Sequence, residues 1–244
     1  RIYFHCVMKR SVFETNVDYI QSEHYHTTER QVSMIEWKGV FPAVTTKMMQ
    51  DGKIDLQATA ESVERLIQNG VSGMVVLPML GENASLTLAE REQVIRTAVA
   101  TAAGRVPVLS GLAEITLETA KANACVYGRA GVAGLMVFPS LGYKTDPRET
   151  AHWYKSIAEA AHLPIMIYNN PIAYGVDVTA EVLKQLVDIP EIQCIKEETG
   201  DIRRVTDTFI EFGDRFNVFC GVDDLIVESC ALGVTGWVSG MTNA

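Results

Sequence analysis

The sequence predicts a (β/α)8 barrel. Eight short apolar runs read as strands, at about 39–45, 72–78, 107–111, 133–139, 164–168, 193–197, 217–221 and 235–239. Stretches with helical periodicity separate them, at about 55–69, 87–103, 115–129, 148–161, 179–187, 201–212 and 222–231. Strand-to-strand spacing of roughly 25–35 residues is that of a βαβ unit. Eight such units favour closure over an open doubly wound sheet.

Each element has its own signal. The strand runs are continuously apolar rather than alternating, as a parallel sheet covered by helices requires. In the first helix Leu56, Val63, Leu66 and Ile67 recur on one face. The turn Ile189-Pro190 introduces the sixth strand, and the helix after it starts near Asp201. Residues 1–33 show no sustained period and read as an extension outside the fold, with the barrel occupying 34–244 and Met34 as a natural start. Their His24-x-His26 beside Glu23 fixes no metal geometry. Ala244 follows directly on the eighth strand, so the barrel is expected to end there, truncated and without its last helix.

Composition narrows the class. The 244 residues are 48% hydrophobic with a formal net charge of -9, enough for one large core. That charge argues against nucleic acid and anionic membrane surfaces as partners. Five cysteines without a C-x-x-C pair read as reduced residues, and no apolar run reaches the length of a membrane span. The expectation is a cytoplasmic protein.

The chemistry concentrates at Gln193-Cys194-Ile195-Lys196-Glu197-Glu198-Thr199-Gly200. Lys196 stands at the carboxyl end of a strand, the edge where barrels place their chemistry. Burial there disfavours the ammonium, and a free amine can attack a ketone to form an imine. A lysine snorkelling outward to pair with Glu197 or Glu198 is the plainer alternative. The preceding strand, Leu163 to Tyr168, ends in Asn169-Asn170-Pro171, so Tyr168 and Lys196 become neighbours at one edge. A phenol there can shuttle protons. After the second strand, Leu77-Pro78-Met79-Leu80-Gly81-Glu82-Asn83 offers backbone N–H groups at the mouth, or simply a helix-capping loop. Tyr143 and Lys144 read as solvated loop residues ahead of a reach into the site, and Asp223 and Asp224 as the start of a helix ahead of a cation site. No Walker loop, dinucleotide fingerprint, zinc-protease motif or nucleophile elbow occurs in the sequence.

From about residue 38 to 244 the chain resembles the dihydrodipicolinate synthase and N-acetylneuraminate lyase family. The resemblance rests on the Gly81-Glu82 loop, Tyr168-Asn169-x-Pro171, Ile195-Lys196-Glu197, Gly221 and the strand from Gly236 to Ser239. It implies an imine-forming lyase, usually tetrameric, with Lys196 as the Schiff-base lysine and Tyr168 as the proton-relaying phenol. No metal or organic cofactor is implied. Where the family carries Gly-Thr-Thr-Gly-Glu, this chain has Pro78-Met79-Leu80-Gly81-Glu82, without either hydroxyl. Carboxylate binding is therefore expected from the backbone of Leu80 and Gly81, aided by Asn83, with Val238 lining the substrate site. The synthase's arginine aligns with Ala173 and its second relay tyrosine near Leu141, which argues against a dicarboxylic aldehyde substrate. The expected activity is aldol cleavage or dehydration of a small 2-oxo acid such as pyruvate or a 2-keto-3-deoxy acid, by a homo-oligomer. The alternatives are a synthase-like condensing enzyme and a non-catalytic 2-oxo acid-binding remnant.

Overall fold

A computed structural model describes residues 35–244. The boundary expected at 33/34 and the histidines ahead of it lie outside the described residues.

Eight parallel strands form one sheet: β1 Gly39–Pro42, β2 Met74–Val76, β3 Val108–Leu112, β4 Gly134–Val137, β5 Ile165–Asn169, β6 Ile192–Glu197, β7 Asn217–Cys220 and β8 Gly236–Ser239. The order runs β1-β8-β7-β6-β5-β4-β3-β2. β1 and β2 meet through a parallel bridge between Ala43 and Val75, which brings the sheet nearly to closure. Helices α1 Leu56–Gln68, α2 Leu88–Ala102, α3 Leu117–Ala130, α4 Pro147–Ala161, α5 Pro171–Tyr174, α6 Ala180–Lys184, α7 Arg203–Phe212 and α8 Ile226–Ala231 connect them. This is the α/β barrel the spacing predicts. The one-turn helix α5 stands where the sequence reads only as an Asn-Asn-Pro turn. With Pro171 at its first position and Asn170 accepting from the Ala173 amide, the turn closes on itself.

Local chemistry sets the helix starts. Thr87 and Glu90 form a capping box on α2, and Asp146 and Glu149 form another on α4. Asp55 and Thr116 cap α1 and α3.

Side-chain alternation then divides the core. Ile165 and Ile167 of β5 face the helices, while Met166 and Tyr168 face the barrel interior. The interior also takes Phe41, Val75, Leu109, Met136, Phe138, Cys194, Phe219 and Val238. Toward the amino end, Trp37, Phe41 and Phe219 fill it; the last two meet edge to face with centroids 5.2 Å apart. Glycine makes that possible, since a Cβ on Gly236 would lie 2.2 Å from the Phe219 ring.

Candidate active site

The site begins with a register shift. Ile165 pairs with Ile192, but Met166 pairs with Cys194, so β6 carries one extra residue. Beyond the shift Tyr168 pairs with Lys196 and Asn169 with Glu197. Strand side chains alternate with period two, so a slip of one residue would move Lys196 off the interior face. The shift thus sets which β6 residue stands beside Tyr168.

Lys196 is 6% exposed and Tyr168 7%. The Lys196 Nζ lies 3.8 Å from the centre of the Tyr168 ring, over its face. Its second neighbour is Glu198, with Oε2 at 2.7 Å. That contact is an ion pair, and the Oε2 atom is buried. Burial pulls the lysine pKa below its ordinary value, and Glu198, followed by Asp223 and Cys220, partly opposes it. The amine and Glu198 meet because residues 196 and 198 leave the strand on one side, with Glu197 on the other. Gly221 leaves them room, for a Cβ there would come 2.9 Å from Lys196 Cε and 2.8 Å from Glu198 Cβ.

Tyr168 is fixed by aromatic contacts. Its ring meets Phe138 at 4.7 Å and Tyr174 at 5.6 Å, both edge to face. Its hydroxyl accepts from Asn170 Nδ2 at 3.3 Å. Burial, then the nearby Glu198 charge, raises its pKa well above the ordinary range, so the phenol stays protonated. Tyr174 is raised too, chiefly by burial.

Outside the barrel wall, a clamp holds the two strand ends. Glu197 accepts from the Thr199 amide at 2.8 Å and Asn169 Nδ2 at 3.0 Å. Asn169 Oδ1 accepts from the Val178 amide, and Arg204 of α7 holds Asp177 at 2.8 Å. Burial pushes the Glu197 carboxyl upward, against the pull of those hydrogen bonds. The two adjacent glutamates therefore differ in work: Glu197 fastens β6 to β5, while Glu198 meets the amine.

In the β2 loop one of the two amides expected to hold a carboxylate is engaged within the loop. The Gly81 amide donates to the Pro78 carbonyl at 2.8 Å, and its carbonyl accepts from Thr46 Oγ1 at 2.6 Å. A substrate would have to displace that amide bond. Leu80 is 53% exposed. Asn83 is fully buried; its Nδ2 donates to the Leu77 and Gly111 carbonyls, and Oδ1 has no partner. That pair of bonds pins a loop strained at Leu77, whose φ is +53°. Val238 lies inside the barrel, 1% exposed, in the same cluster as Tyr168. Asp223 folds back on the end of β8, accepting from Trp237 Nε1 and from the Gly240 and Met241 amides. Sequence reasoning left Glu198 as a mere ion-pair partner and gave Tyr174 no place. The signal for Glu198 was the two-residue spacing from Lys196; nothing local marked Tyr174.

Among the described residues no three His, Cys, Asp or Glu side chains gather as a metal site, and no helix is long and apolar enough to cross a membrane.

A parallel barrel with a buried amine at its carboxyl edge is a frame shared by lyases and aldolases. The chain belongs to the dihydrodipicolinate synthetase family, whose model matches residues 36–244. A relative from Salinibacter ruber, named 4-hydroxy-tetrahydrodipicolinate synthase, is 33% identical over 209 residues, covering 85% of this chain and 69% of its own. A probable 2-dehydro-3-deoxy-D-pentonate aldolase of Escherichia coli is 30% identical over 214 residues, covering 86% and 71%. The Acinetobacter baumannii dihydrodipicolinate synthase, solved in complex with pyruvate, superposes with a TM-score of 0.82 at 28% identity, covering 85% and 71%.

Proposed function

We propose that this chain is a Schiff-base-forming lyase, an aldolase or dehydratase acting on pyruvate or a small 2-keto-3-deoxy acid. Lys196 is the nucleophile and Tyr168 the proton relay. The observation that supports this best is the buried Lys196 amine, with its pKa lowered by burial, at the carboxyl edge beside Tyr168. A nucleophilic lysine needs that environment. The amine lies over the ring face and the hydroxyl bonds Asn170, so a proton passing between them travels by way of a substrate oxygen. In the imine, the protonated nitrogen draws electrons from the adjacent carbon, and a proton or carbon fragment can leave it.

The substrate class draws on the relatives. The Acinetobacter baumannii structure holds pyruvate, and the Escherichia coli relative is named for a 2-dehydro-3-deoxy acid. Both compounds present the 2-oxo acid that an amine attacks. The relative from Salinibacter ruber carries a synthase name, which supports a condensing enzyme as the second reading. Ala173, without charge to hold a second carboxylate, favours the lyase. Self-association as a dimer or tetramer belongs to the same proposal.

The test is to incubate the protein with pyruvate and borohydride and weigh it intact. One reduced adduct, mapped to the peptide carrying Lys196, is the expected outcome. A protein of unchanged mass would overturn the proposal. Pyruvate release from 2-keto-3-deoxy acids then separates aldol cleavage from dehydration and condensation.

A further inference from the structure

We infer that Glu198 is a catalytic residue of this chain, the carboxylate that takes a proton from Lys196 Nζ and delivers it to the departing hydroxyl during imine formation. The inference rests on the imine reading above. Its basis is geometric: Glu198 Oε2 is buried and ion-paired with Nζ at 2.7 Å, in space that Gly221 leaves open.

The other groups around the amine are unsuited to the task. Tyr168 of β5 and Tyr174 of α5 both hold their protons more tightly than ordinary phenols. Cys220 of β7, also raised by burial, donates its thiol to the Val222 carbonyl. Asp223, in the turn after β7, is occupied by Trp237 and two backbone amides. The β2 loop presents Pro78, Met79 and Leu80, none with a hydroxyl. Glu198 alone combines contact with Nζ and a carboxylate not committed to the fold.

The step balances. Glu198 takes one proton from the Lys196 ammonium, and the freed amine attacks the ketone carbon. The C–N bond forms as the carbonyl pair moves to oxygen. That oxygen takes a proton from the adjacent nitrogen, while the Tyr168 hydroxyl donates a hydrogen bond to it, to give a neutral carbinolamine. Glu198 returns its proton to the hydroxyl, which leaves as water while the nitrogen lone pair closes the C=N bond. The ammonium and ketone have become a protonated imine and water, with Glu198 again a carboxylate beside the cation.

The experiment measures the rate of borohydride-trapped pyruvate adduct against pH for the parent, Glu198→Gln and Glu198→Asp, with thermal midpoints confirming the fold. Removing the anion lowers the Lys196 pKa further, because Glu198 opposes the burial effect. The rise of rate with pH should therefore move to lower pH in Glu198→Gln. If Glu198 only tuned that pKa, the limiting rate at high pH would be unchanged. As a proton carrier, its loss should cut that limiting rate by roughly 10²-fold or more. Glu198→Asp keeps a carboxylate and should recover most of the loss; it carries the test if Glu198→Gln does not fold. An adduct forming on Glu198→Gln at the parent's limiting rate overturns the assignment and leaves the imine reading standing. A parent that gains no adduct overturns both.

Discussion

Lys196→Ala is expected to abolish turnover and the borohydride-trapped adduct together. The amine makes the covalent bond, and no other group of the site can replace it: Tyr168 stays protonated, and Glu198 is an acceptor without a nitrogen. Lys196→Arg should fail as completely, because a guanidinium remains protonated in proteins and does not attack a carbonyl. The pair of variants separates charge from nucleophilicity. The arginine keeps a cation near Glu198, while alanine leaves that carboxylate with its partner removed. Intact mass after pyruvate and borohydride gives the readout, and a single-site adduct on Lys196→Ala would show the nucleophile lies elsewhere. In the parent, adduct formation should slow as pH falls and protonates the amine. Burial shifts that loss to lower pH than an ordinary lysine would show.

Tyr168→Phe should lower turnover by roughly 10²- to 10⁴-fold, the usual worth of a general acid–base group. The change is narrow. The ring keeps its contacts with Phe138 and Tyr174 and its face to the amine, and only the hydroxyl that accepts from Asn170 is lost. Stability should therefore change little, and the adduct should still form, slowly. Thermal melts beside steady-state rates decide the matter. Turnover equal to the parent's would reduce Tyr168 to packing.

The barrel was legible because its signals are local and repeated. Each strand run is apolar throughout, each helix has its face, and β1 to β8 fall within a few residues of the runs that announce them. The neighbourhood of Tyr168 and Lys196 also follows from strand order. What the sequence could not show is the extra residue in β6 that sets their register, since nothing in Ile192-Gln193-Cys194 announces a bulge. The β2 loop is a different case. Its glycine suggests exposed amides, but the loop closes into a single 3-10 turn in which the Gly81 amide donates to the Pro78 carbonyl. Glu198 stood in plain view two positions from Lys196; the space opposite it depends on Gly221, a strand away.

The meeting of β1 with β2 has a kinetic meaning. β1 and β8 share four register pairs, whereas β1 and β2 are joined by the Ala43–Val75 bridge and the bonds from Ser72 N to Val40 O and from Val44 N to Val75 O. A cylinder opens first along its weakest seam, and amides there exchange with solvent through small local openings while the others wait for global unfolding. The Val44 and Ser72 amides should thus be early exchangers among the strand-bonded amides. The seam runs up to Thr46, whose hydroxyl holds the Gly81 carbonyl of the β2 loop. A ligand that steadied this loop would close the seam from above, and slowed deuterium uptake at Val44 would register an occupied mouth from the far side of the barrel wall.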